Sequence, residues 1–260
     1  MSVKKATFSP AMFTVTLVFF YLPLIILILF SFNSSKTMNW SGFSLHWYKE
    51  LFFNSRALWQ SFGNSAVIAL TSATIATTIG TLGAIGIYWY NFKFKKVLQV
   101  ATFMPLVLPE IIIGVSLLIF FAGIKLKLSL FTILLAHTTF NIPFVLLIVM
   151  ARLEEFDFSI IEAAYDLGAT EIDTLLKVII PVTFPGIASG FLMAVTLSLE
   201  DFVITFFVAG PGSSTLPLHV YSMIRFGVSP VINSLSVVII AGTILVAFST
   251  RNILKYLVHK

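Results

Sequence analysis

Long apolar runs separated by short polar segments dominate the hydrophobic pattern of this chain. Each run is about as long as the ~20 residues that a helix needs to cross the hydrocarbon core of a membrane. The runs cover about residues 11–32, 64–90, 97–121, 129–151, 182–208 and 231–250. They are continuous and do not alternate at every second residue, which favours helices over a barrel of strands. We therefore predict an all-α, polytopic membrane protein with six transmembrane helices.

One polar, acid-rich segment, residues 159–185, interrupts the apolar pattern between the fourth and fifth spans. Gly168 divides it into two short predicted helices, because glycine adopts the left-handed conformation that ends a helix without a steric penalty. Proline disrupts a helix from within, so Pro181 and Pro185 predict that a new segment begins there. Such a helix–turn–helix between two spans is a candidate docking element for a partner outside the membrane.

Both short helices carry a predicted start signal. Ser159 with Glu162, and Thr170 with Asp173, have the spacing of a capping box, in which side chains satisfy the free amides of a first helical turn. We therefore expect one helix to begin at Ser159 and the other at Thr170.

Composition supports a membrane location. Of the 260 residues, 58% are hydrophobic and 10% are charged, and the mean hydropathy is +1.01. A soluble domain usually carries about 25% charged residues. The chain has no cysteine, which excludes disulfides, thiolate metal sites and cysteine nucleophiles. We predict a single transmembrane domain over residues 1–260.

The basic residues indicate orientation and exclude nucleic acid as a partner. The formal net charge is +5, but no basic cluster is large enough for a nucleic-acid surface. Cytoplasmic loops of membrane proteins are enriched in lysine and arginine. A cytoplasmic N-terminus places most of the basic residues inside, namely Lys4, Lys5, Lys93, Lys95, Lys96, Arg152, Lys177, Arg251, Lys255 and Lys260. Both termini and the polar segment are then predicted to lie in the cytoplasm.

Two further stretches have a recognisable composition. The second span carries small residues that allow close helix packing in lipid, namely Ala69, Ala73, Ala76, Gly80, Gly83, Ala84 and Gly86. The first outer loop, residues 33–63, is rich in aromatics, namely Trp40, Trp47, Tyr48, Phe52, Phe53 and Trp59. These aromatics indicate either anchoring at the lipid headgroups or a platform for an external partner.

Three acidic residues, Glu110, Glu200 and Asp201, lie within predicted spans. Insertion of an ionised acid at a helix centre costs roughly 2.5–3.5 kcal/mol, so such residues normally face protein or water. At 1.5 Å per residue, Glu110 and Glu200 each lie roughly 20 Å along their helices and would form one carboxylate layer of a substrate path. Asp201 points about 100° away from Glu200 on a helix. Alternatively, the acids lie at wet helix ends or pair with Lys125 or Arg225.

Pro105 and Pro109, just before Glu110, predict a broken third helix. A break at membrane depth is tolerated where the backbone lines a cavity. This prediction agrees with a path beside Glu110.

The sequence gives little support to catalysis. The four histidines, His46, His137, His219 and His259, have no metal-ligand spacing, and we predict neither catalytic nor metal-binding residues. Only His137 lies inside a span, where a hydrogen bond between helices is the simpler interpretation. The chain lacks a phosphate-binding G-x-x-x-x-G-K-[ST] loop, so ATP-driven transport would need a separate ATPase.

One spacing in the polar segment is distinctive. Glu162-Ala163-Ala164 is followed after three residues by Gly168, and after nine more by Val178-Ile179-Ile180-Pro181. This spacing resembles the EAA motif of ABC importer permeases. The family pattern ends in Ile-x-Leu-Pro, and Val178 and Ile180 keep its shape and apolarity. Further stretches resemble the spermidine/putrescine permeases over nearly the whole chain, namely Ser31-Phe32-Asn33-Ser34-Ser35, Trp47-Tyr48, Leu197-Ser198-Leu199-Glu200-Asp201 and Thr215-Leu216-Pro217-Leu218.

This resemblance implies a type I ABC importer permease fold (MetI-like) in a bacterial cytoplasmic (inner) membrane. The implied partners are a paralogous permease subunit, a cytoplasmic ATPase dimer that binds ATP and Mg²⁺, and an external polyamine-binding protein. The chain itself would hold no cofactor.

The resemblance also implies that residues 159–181 form a coupling helix seated in a groove of the ATPase. In that interpretation Glu162 orients the helix, Ala163, Ala164 and Gly168 leave room for close approach, and Pro181 ends the motif.

Other functions remain open at the level of sequence. A permease of the same architecture for an amino acid or a metal complex would show the same pattern. A passive cation channel would also use intramembrane carboxylates, but it would not need the EAA motif. Spermidine and putrescine are not distinguished.

Overall fold

The structure, a computed structural model, describes residues 8–37, 39–155, 157, 159–226 and 230–258. Helices account for most of these residues, and the described part of the chain contains no strand beyond one isolated bridge between Asn33 and Phe43. The helices are α1 (Phe8–Ser31), α2 (His46–Lys49), α3 (Arg56–Trp89), α4 (Lys95–Val107), α5 (Glu110–Gly123), α6 (Leu130–Glu154), α7 (Ser159–Asp166), α8 (Glu171–Thr174), α9 (Ile180–Glu200), α10 (Val203–Val208), α11 (Leu216–Phe226) and α12 (Val231–Val258), with π-helical turns at Glu50–Asn54 and Leu175–Ile179.

The long helices confirm an all-α membrane protein. Four helical stretches are long and apolar enough to cross a bilayer, namely Pro10–Ser31, Arg56–Trp89, Leu130–Glu154 and Glu171–Glu200. The bent pair α4 and α5 makes up to a fifth. The apolar part of α12 within the described side chains, Val231–Leu245, is shorter. Six spans and a single domain therefore stay predictions, and Lys4, Lys5 and Lys260 of the orientation argument lie outside the described residues.

The chain forms two compact units, residues 1–57 with 220–260, and residues 58–219. In the first unit α1 packs against α12, and the apolar stretch of α1 is not buried within the described chain. Trp47 is buried, and its Nε1 donates to the Asn33 carbonyl at 2.7 Å. Phe53, by contrast, is 84% exposed. The aromatic residues of the first loop therefore include both buried and exposed side chains.

In the second unit α6 and α9 form the central helix pair. Val145 of α6 is fully buried between two glycines, because a Cβ on Gly80 would lie 2.9 Å from its side chain and a Cβ on Gly190 would lie 3.2 Å away. The predicted small-residue face of α3 is likewise buried, including Ala73 and Ala76. Close packing along the second span is thus confirmed.

The predicted break in the third span is also confirmed. The α4 axis and the α5 axis differ in direction by 111°. Leu108 and Pro109 join them with extended backbone, at ψ 139° and 135°. A proline removes the amide that would continue the helix and disfavours helical backbone at the residue before it.

The prediction that a new segment begins at Pro181 and Pro185 is wrong. The helical stretch runs without a gap from Glu171 to Glu200 and contains both prolines. A π-helical turn, Leu175–Ile179, precedes Pro181, and the Ile180 amide donates to the Leu175 carbonyl five residues back. This wider turn accommodates the proline ring, which would clash with a carbonyl in a regular α-helix.

The fifth span is interrupted where the sequence predicted a continuous helix over residues 182–208. The helix α9 ends at Glu200, Asp201 has extended backbone with ψ 122°, and α10 begins at Val203. The side chain of Asp201 accepts the Ile204 and Thr205 amides at 3.1 and 2.8 Å. Short polar side chains that bond to nearby amides compete with helix in this way.

Candidate functional site

The three predicted path acids line one cavity. This cavity has a volume of about 300 Å³ and is lined by Glu110, Phe140, Leu197, Glu200, Asp201, Phe202 and Val203. It lies where the two interrupted spans meet, because α5 begins at Glu110, α9 ends at Glu200 and α5 packs against α10. The structure therefore brings Asp201 together with the other two acids, although an uninterrupted helix would have turned it away.

The two exposed acids, Glu110 and Glu200, lie at opposite ends of helix dipoles. Glu110 is the first residue of α5, and the positive end of a helix dipole stabilises a carboxylate. Glu200 is the last residue of α9, where the negative end of the dipole adds to its own charge. No ion pair joins either acid to Lys125 in the part of the chain that the structure describes. Among the described residues, the lining of the cavity holds three acidic side chains and no basic one, which favours a cation over an anion.

Asp201 has a different environment, because it is 8% exposed and fully engaged. Besides the two amides of α10, its carboxylate accepts the Thr205 hydroxyl at 2.7 Å and lies 3.1 Å from His137 Nε2. These four hydrogen-bonding groups hold the carboxylate in one position. Asp201 is therefore a structural part of the cavity lining, and its oxygens are already engaged within the chain.

His137 makes the hydrogen bonds between helices that its place in the sequence predicts. Its Nδ1 lies 2.6 Å from Ser198 Oγ, and its Nε2 lies 2.9 Å from Thr205 Oγ1. Ser72 of α3 donates to Ser198 at 3.3 Å, which brings a fourth helix into the network. The sequence did not single out Ser72 or Thr205, and it named Ser198 only within a stretch that resembles the spermidine/putrescine permeases.

Ser198, His137 and Asp201 have the hydrogen-bond order of a hydrolase catalytic triad. The surroundings of Ser198 do not suit hydrolysis. Ser198 is 5% exposed and lies inside α9, so helical hydrogen bonds occupy the neighbouring amides. A hydrolase needs free amides beside the nucleophile to bind the oxyanion. Among the described residues, no group of three acidic or histidine side chains could hold a metal ion.

The turn within the polar segment has the geometry that Gly168 predicted. Gly168 has a φ of +82°, its amide donates to the Tyr165 carbonyl at 2.9 Å, and the Ala169 amide donates to the Ala164 carbonyl at 3.0 Å. These two bonds form a Schellman motif, which ends a helix and reverses the chain direction. The prediction of a helix end at Gly168 is confirmed.

Both helices start where they were predicted to start, but only the one at Thr170 has the predicted cap. Thr170 caps α8, because its Oγ1 accepts the Asp173 amide at 3.2 Å and donates to the Asp173 carboxylate at 2.6 Å. Ser159 instead lies inside α7 as its first residue, and its amide donates to the Asp157 carboxylate at 3.0 Å. The aspartate thus takes the role that the capping box assigned to Ser159, because its longer reach places an ionised acceptor at the free amide.

An ion pair stabilises the start of α8. Lys177 Nζ lies 2.6 Å from Asp173 Oδ1, one helical turn away. The hydrogen bond from Lys177, together with the bond from the Thr170 hydroxyl, lowers the pKa of Asp173 to about 2. The carboxylate is therefore ionised throughout the physiological range.

The surface of this segment is apolar as well as acidic. Leu167 at the turn is 89% exposed, and Ile172 and Leu176 also lie largely in the open. Ala163 and Glu162 are exposed, Ala164 is half-buried, and Pro181 is exposed at the start of α9. A groove of about 250 Å³ separates the segment from the end of α3 and is lined by Leu82, Ile85, Gly86, Trp89, Tyr90, Tyr165, Glu171, Ile172, Leu175 and Ile179. Exposed apolar residues on a polar segment are typical of a docking surface.

Known proteins that this chain resembles are components of transport systems. The family of binding-protein-dependent transport system inner membrane components matches residues 76–260. The chain is 39% identical to the spermidine/putrescine transport system permease protein PotC of Escherichia coli (strain K12), over 91% of this chain and 90% of that protein. It is 40% identical to the putrescine transport system permease protein PotI of the same strain, over 88% and 84%. A solved bacterial ABC transporter that imports the polysaccharide alginate shares the fold, with a TM-score of 0.74, 14% identity and coverage of 97% of this chain and 99% of that chain.

Proposed function

This chain belongs to the family of binding-protein-dependent transport system inner membrane components, and we propose that it forms part of the path by which an ATP-driven importer carries polyamines into the cell. As a member of this family it is a multi-pass transport subunit and not an enzyme. The observation that carries the proposal is the cavity shared by Glu110, Glu200 and Asp201 at the junction of two interrupted spans.

Polyamines are flexible polycations, and the cavity has the chemistry to receive one amine at a time. The two exposed carboxylates supply charge, and the rings of Phe140 and Phe202 supply aromatic faces that attract cations. Two exposed acids replace part of the hydration of an amine without trapping it, because release needs a site of moderate strength. The similarity to PotC and PotI favours spermidine and putrescine over an amino acid or a metal complex.

The energy for transport would come from a separate ATPase that binds ATP and Mg²⁺. We place its docking surface on residues 159–181, in the cytoplasm. The alanines Ala163 and Ala164 allow close approach, and Leu167 offers an exposed apolar contact at the turn. Glu162 is free to orient the helix against a donor on the partner, and the Schellman turn at Gly168 sets the angle between the two short helices.

Two further partners complete the transporter. A paralogous permease would contribute the other half of the path, so that this chain supplies one wall of it. An external binding protein would deliver the polyamine to the outer face, near the exposed aromatics of the first loop. Both termini of the chain would then lie in the cytoplasm.

Reconstitution tests this function directly. The chain, its second permease, the ATPase and the binding protein are placed in proteoliposomes, and the uptake of radiolabelled putrescine and spermidine is measured with ATP and with a non-hydrolysable analogue. We expect uptake only with ATP and only with the binding protein present. Uptake without ATP would indicate a passive cation channel, and ATP-driven uptake of an unrelated solute in place of polyamine would assign a different substrate.

A further inference from the structure

One side chain crosses the interruption between α9 and α10. His137, from α6, contacts Ser198 before the break, Asp201 within it and Thr205 after it. The imidazole is 2% exposed, so water is not available to replace these bonds if one partner is lost. The ring therefore fixes three points of the chain on both sides of the break.

The two ring nitrogens face different partners. Nδ1 lies 2.6 Å from the Ser198 hydroxyl. Nε2 lies 3.1 Å from the Asp201 carboxylate and 2.9 Å from the Thr205 hydroxyl, which itself donates to Asp201. An ionised carboxylate can only accept, so the bond between His137 and Asp201 requires a proton on Nε2.

The position of the break determines which side chains surround Glu200. Glu200 immediately precedes Asp201 and is the last residue of α9. Ser198 and Asp201, both held by His137, therefore bracket its backbone. If the break closed into a continuous helix, the chain after Glu200 would follow the axis of α9, and Asp201, Phe202 and Val203 would leave the lining of the cavity.

We propose that His137 is a positioning residue for the substrate path. Through its bond to Asp201 it holds the break in place, and this keeps open the cavity that Glu200 shares with Glu110. This inference rests on the proposed function, because it takes the cavity to be part of the path. It assigns the histidine no contact with the substrate.

Two amide substitutions separate this role from simple packing. In His137→Gln the longer amide reaches the Nε2 position and can donate to Asp201, whereas in His137→Asn the amide reaches only the Nδ1 position and Ser198. A positioning role through Asp201 requires the glutamine variant to perform better than the asparagine variant. A role in packing alone predicts that both behave alike.

The readout uses the absence of cysteine from this chain. Glu200→Cys introduces the single thiol of the chain, and its reaction rate with a positively charged methanethiosulfonate reports how accessible residue 200 is from the cavity. The measurement is made on the complete complex, with the partner chains free of reactive cysteine. Leu167→Cys, on the exposed cytoplasmic turn, is the control for general unfolding.

We expect His137→Asn to slow labelling at position 200 about tenfold, the loss of one hydrogen bond to a charged group, with labelling at position 167 unchanged. In His137→Gln the rate should stay close to that of the parent. Equal rates in both variants, whether fast or slow, would overturn the proposal. If the asparagine variant does not assemble, Asp201→Asn tests the same bond from its other side, with an uncharged methanethiosulfonate so that the lost charge does not itself slow the reaction: slower labelling supports the proposal and an unchanged rate overturns it.

Transport kinetics then separate this inference from the function on which it rests. With Glu200 restored, His137→Asn should lower the maximal rate of putrescine uptake about tenfold and leave its KM unchanged, since delivery by the binding protein sets KM. The labelling result does not depend on the identity of the solute. A positive labelling result without polyamine uptake would therefore reject the substrate and keep the positioning role.

Discussion

Gly114 of α5 lies directly against Phe207 of α10, because a Cβ on the glycine would lie 2.7 Å from Cδ2 of the ring. The two helices are the segments that follow the breaks in the third and fifth spans. The cavity beside this contact is lined by Glu110, the first residue of α5, and by Glu200, the last residue of α9. The width of the proposed path therefore depends on a glycine that carries no charge.

Substitution of this glycine should widen or distort the cavity. Gly114→Ala forces Phe207 to move and also approaches the Ile204 Cα atom, at 3.4 Å. Overpacking of this kind costs about 1–3 kcal/mol, so we expect a lower midpoint of thermal unfolding in detergent and slower polyamine uptake. The control is Gly123→Ala in the same helix, where a Cβ meets nothing within 4 Å. Equal effects from both substitutions would show that the contact with Phe207 is unimportant.

Neutralising the exposed acids should reduce transport without loss of the complex. In Glu110→Gln and Glu200→Gln the shape is kept and the charge that attracts an amine is removed. Loss of one charged contact lowers the rate of uptake by about tenfold in each variant. Uptake by reconstituted complex is measured against Glu50→Gln, a charge change in the loop that follows α1. Normal uptake in both cavity variants would remove these acids from the path.

The sequence predicts those parts of the fold that depend on local chemistry. Apolar length predicts the long helices because a bilayer imposes the same requirement on every span. Pro105 and Pro109 predict the break before Glu110, and Gly168 predicts the turn, because each of these residues restricts or permits the conformation of its own backbone. The close packing of α3 could be predicted for a similar reason, since its small side chains are visible in the sequence itself.

The missed features depend on contacts between distant residues. The His137–Ser198 bond joins positions 61 residues apart, and the pattern of neither helix indicates it. Asp201 ends α9 because its carboxylate finds amides of α10 and a histidine of α6. Continuation through Pro181 depends on a π-helical turn, which a proline permits but does not specify.

A charge on the proposed coupling surface should separate ATP hydrolysis from transport. Ala164 is half-buried in α7, and Ala164→Asp places a bulky, charged group where a partner backbone would approach. We expect reduced co-purification of the ATPase, or ATP hydrolysis without uptake, because a buried unpaired charge is costly at an interface. Ala164→Asn is the size-matched, uncharged control. An aspartate variant that binds the ATPase and transports polyamine normally would contradict the coupling role.

The turn at Gly168 should depend on backbone conformation alone. A Cβ at this position meets nothing within 4 Å, but the φ of +82° is unfavourable for any residue with a side chain. Gly168→Ala should therefore destabilise the turn by about 1–2 kcal/mol, while Gly168→Asn, which tolerates this region, should be milder. Faster hydrogen exchange at the Gly168 and Ala169 amides measures the effect. Gly63→Ala, also without a neighbour for its Cβ, should leave these amides unchanged.

The ion pair between Asp173 and Lys177 gives a pH dependence with a defined sign. Its hydrogen bonds hold the pKa of Asp173 at about 2, below the value of about 3.9 for an unfolded aspartate. A lowered pKa means that the carboxylate stabilises the start of α8 above pH ~4 and that this stabilisation is lost as the pH falls through about 2. Carbon-13 NMR of labelled aspartate should find this low midpoint, and Lys177→Met should raise it. A midpoint near 3.9 in the parent, or no change on removal of the lysine, would show that the pair does not form in solution.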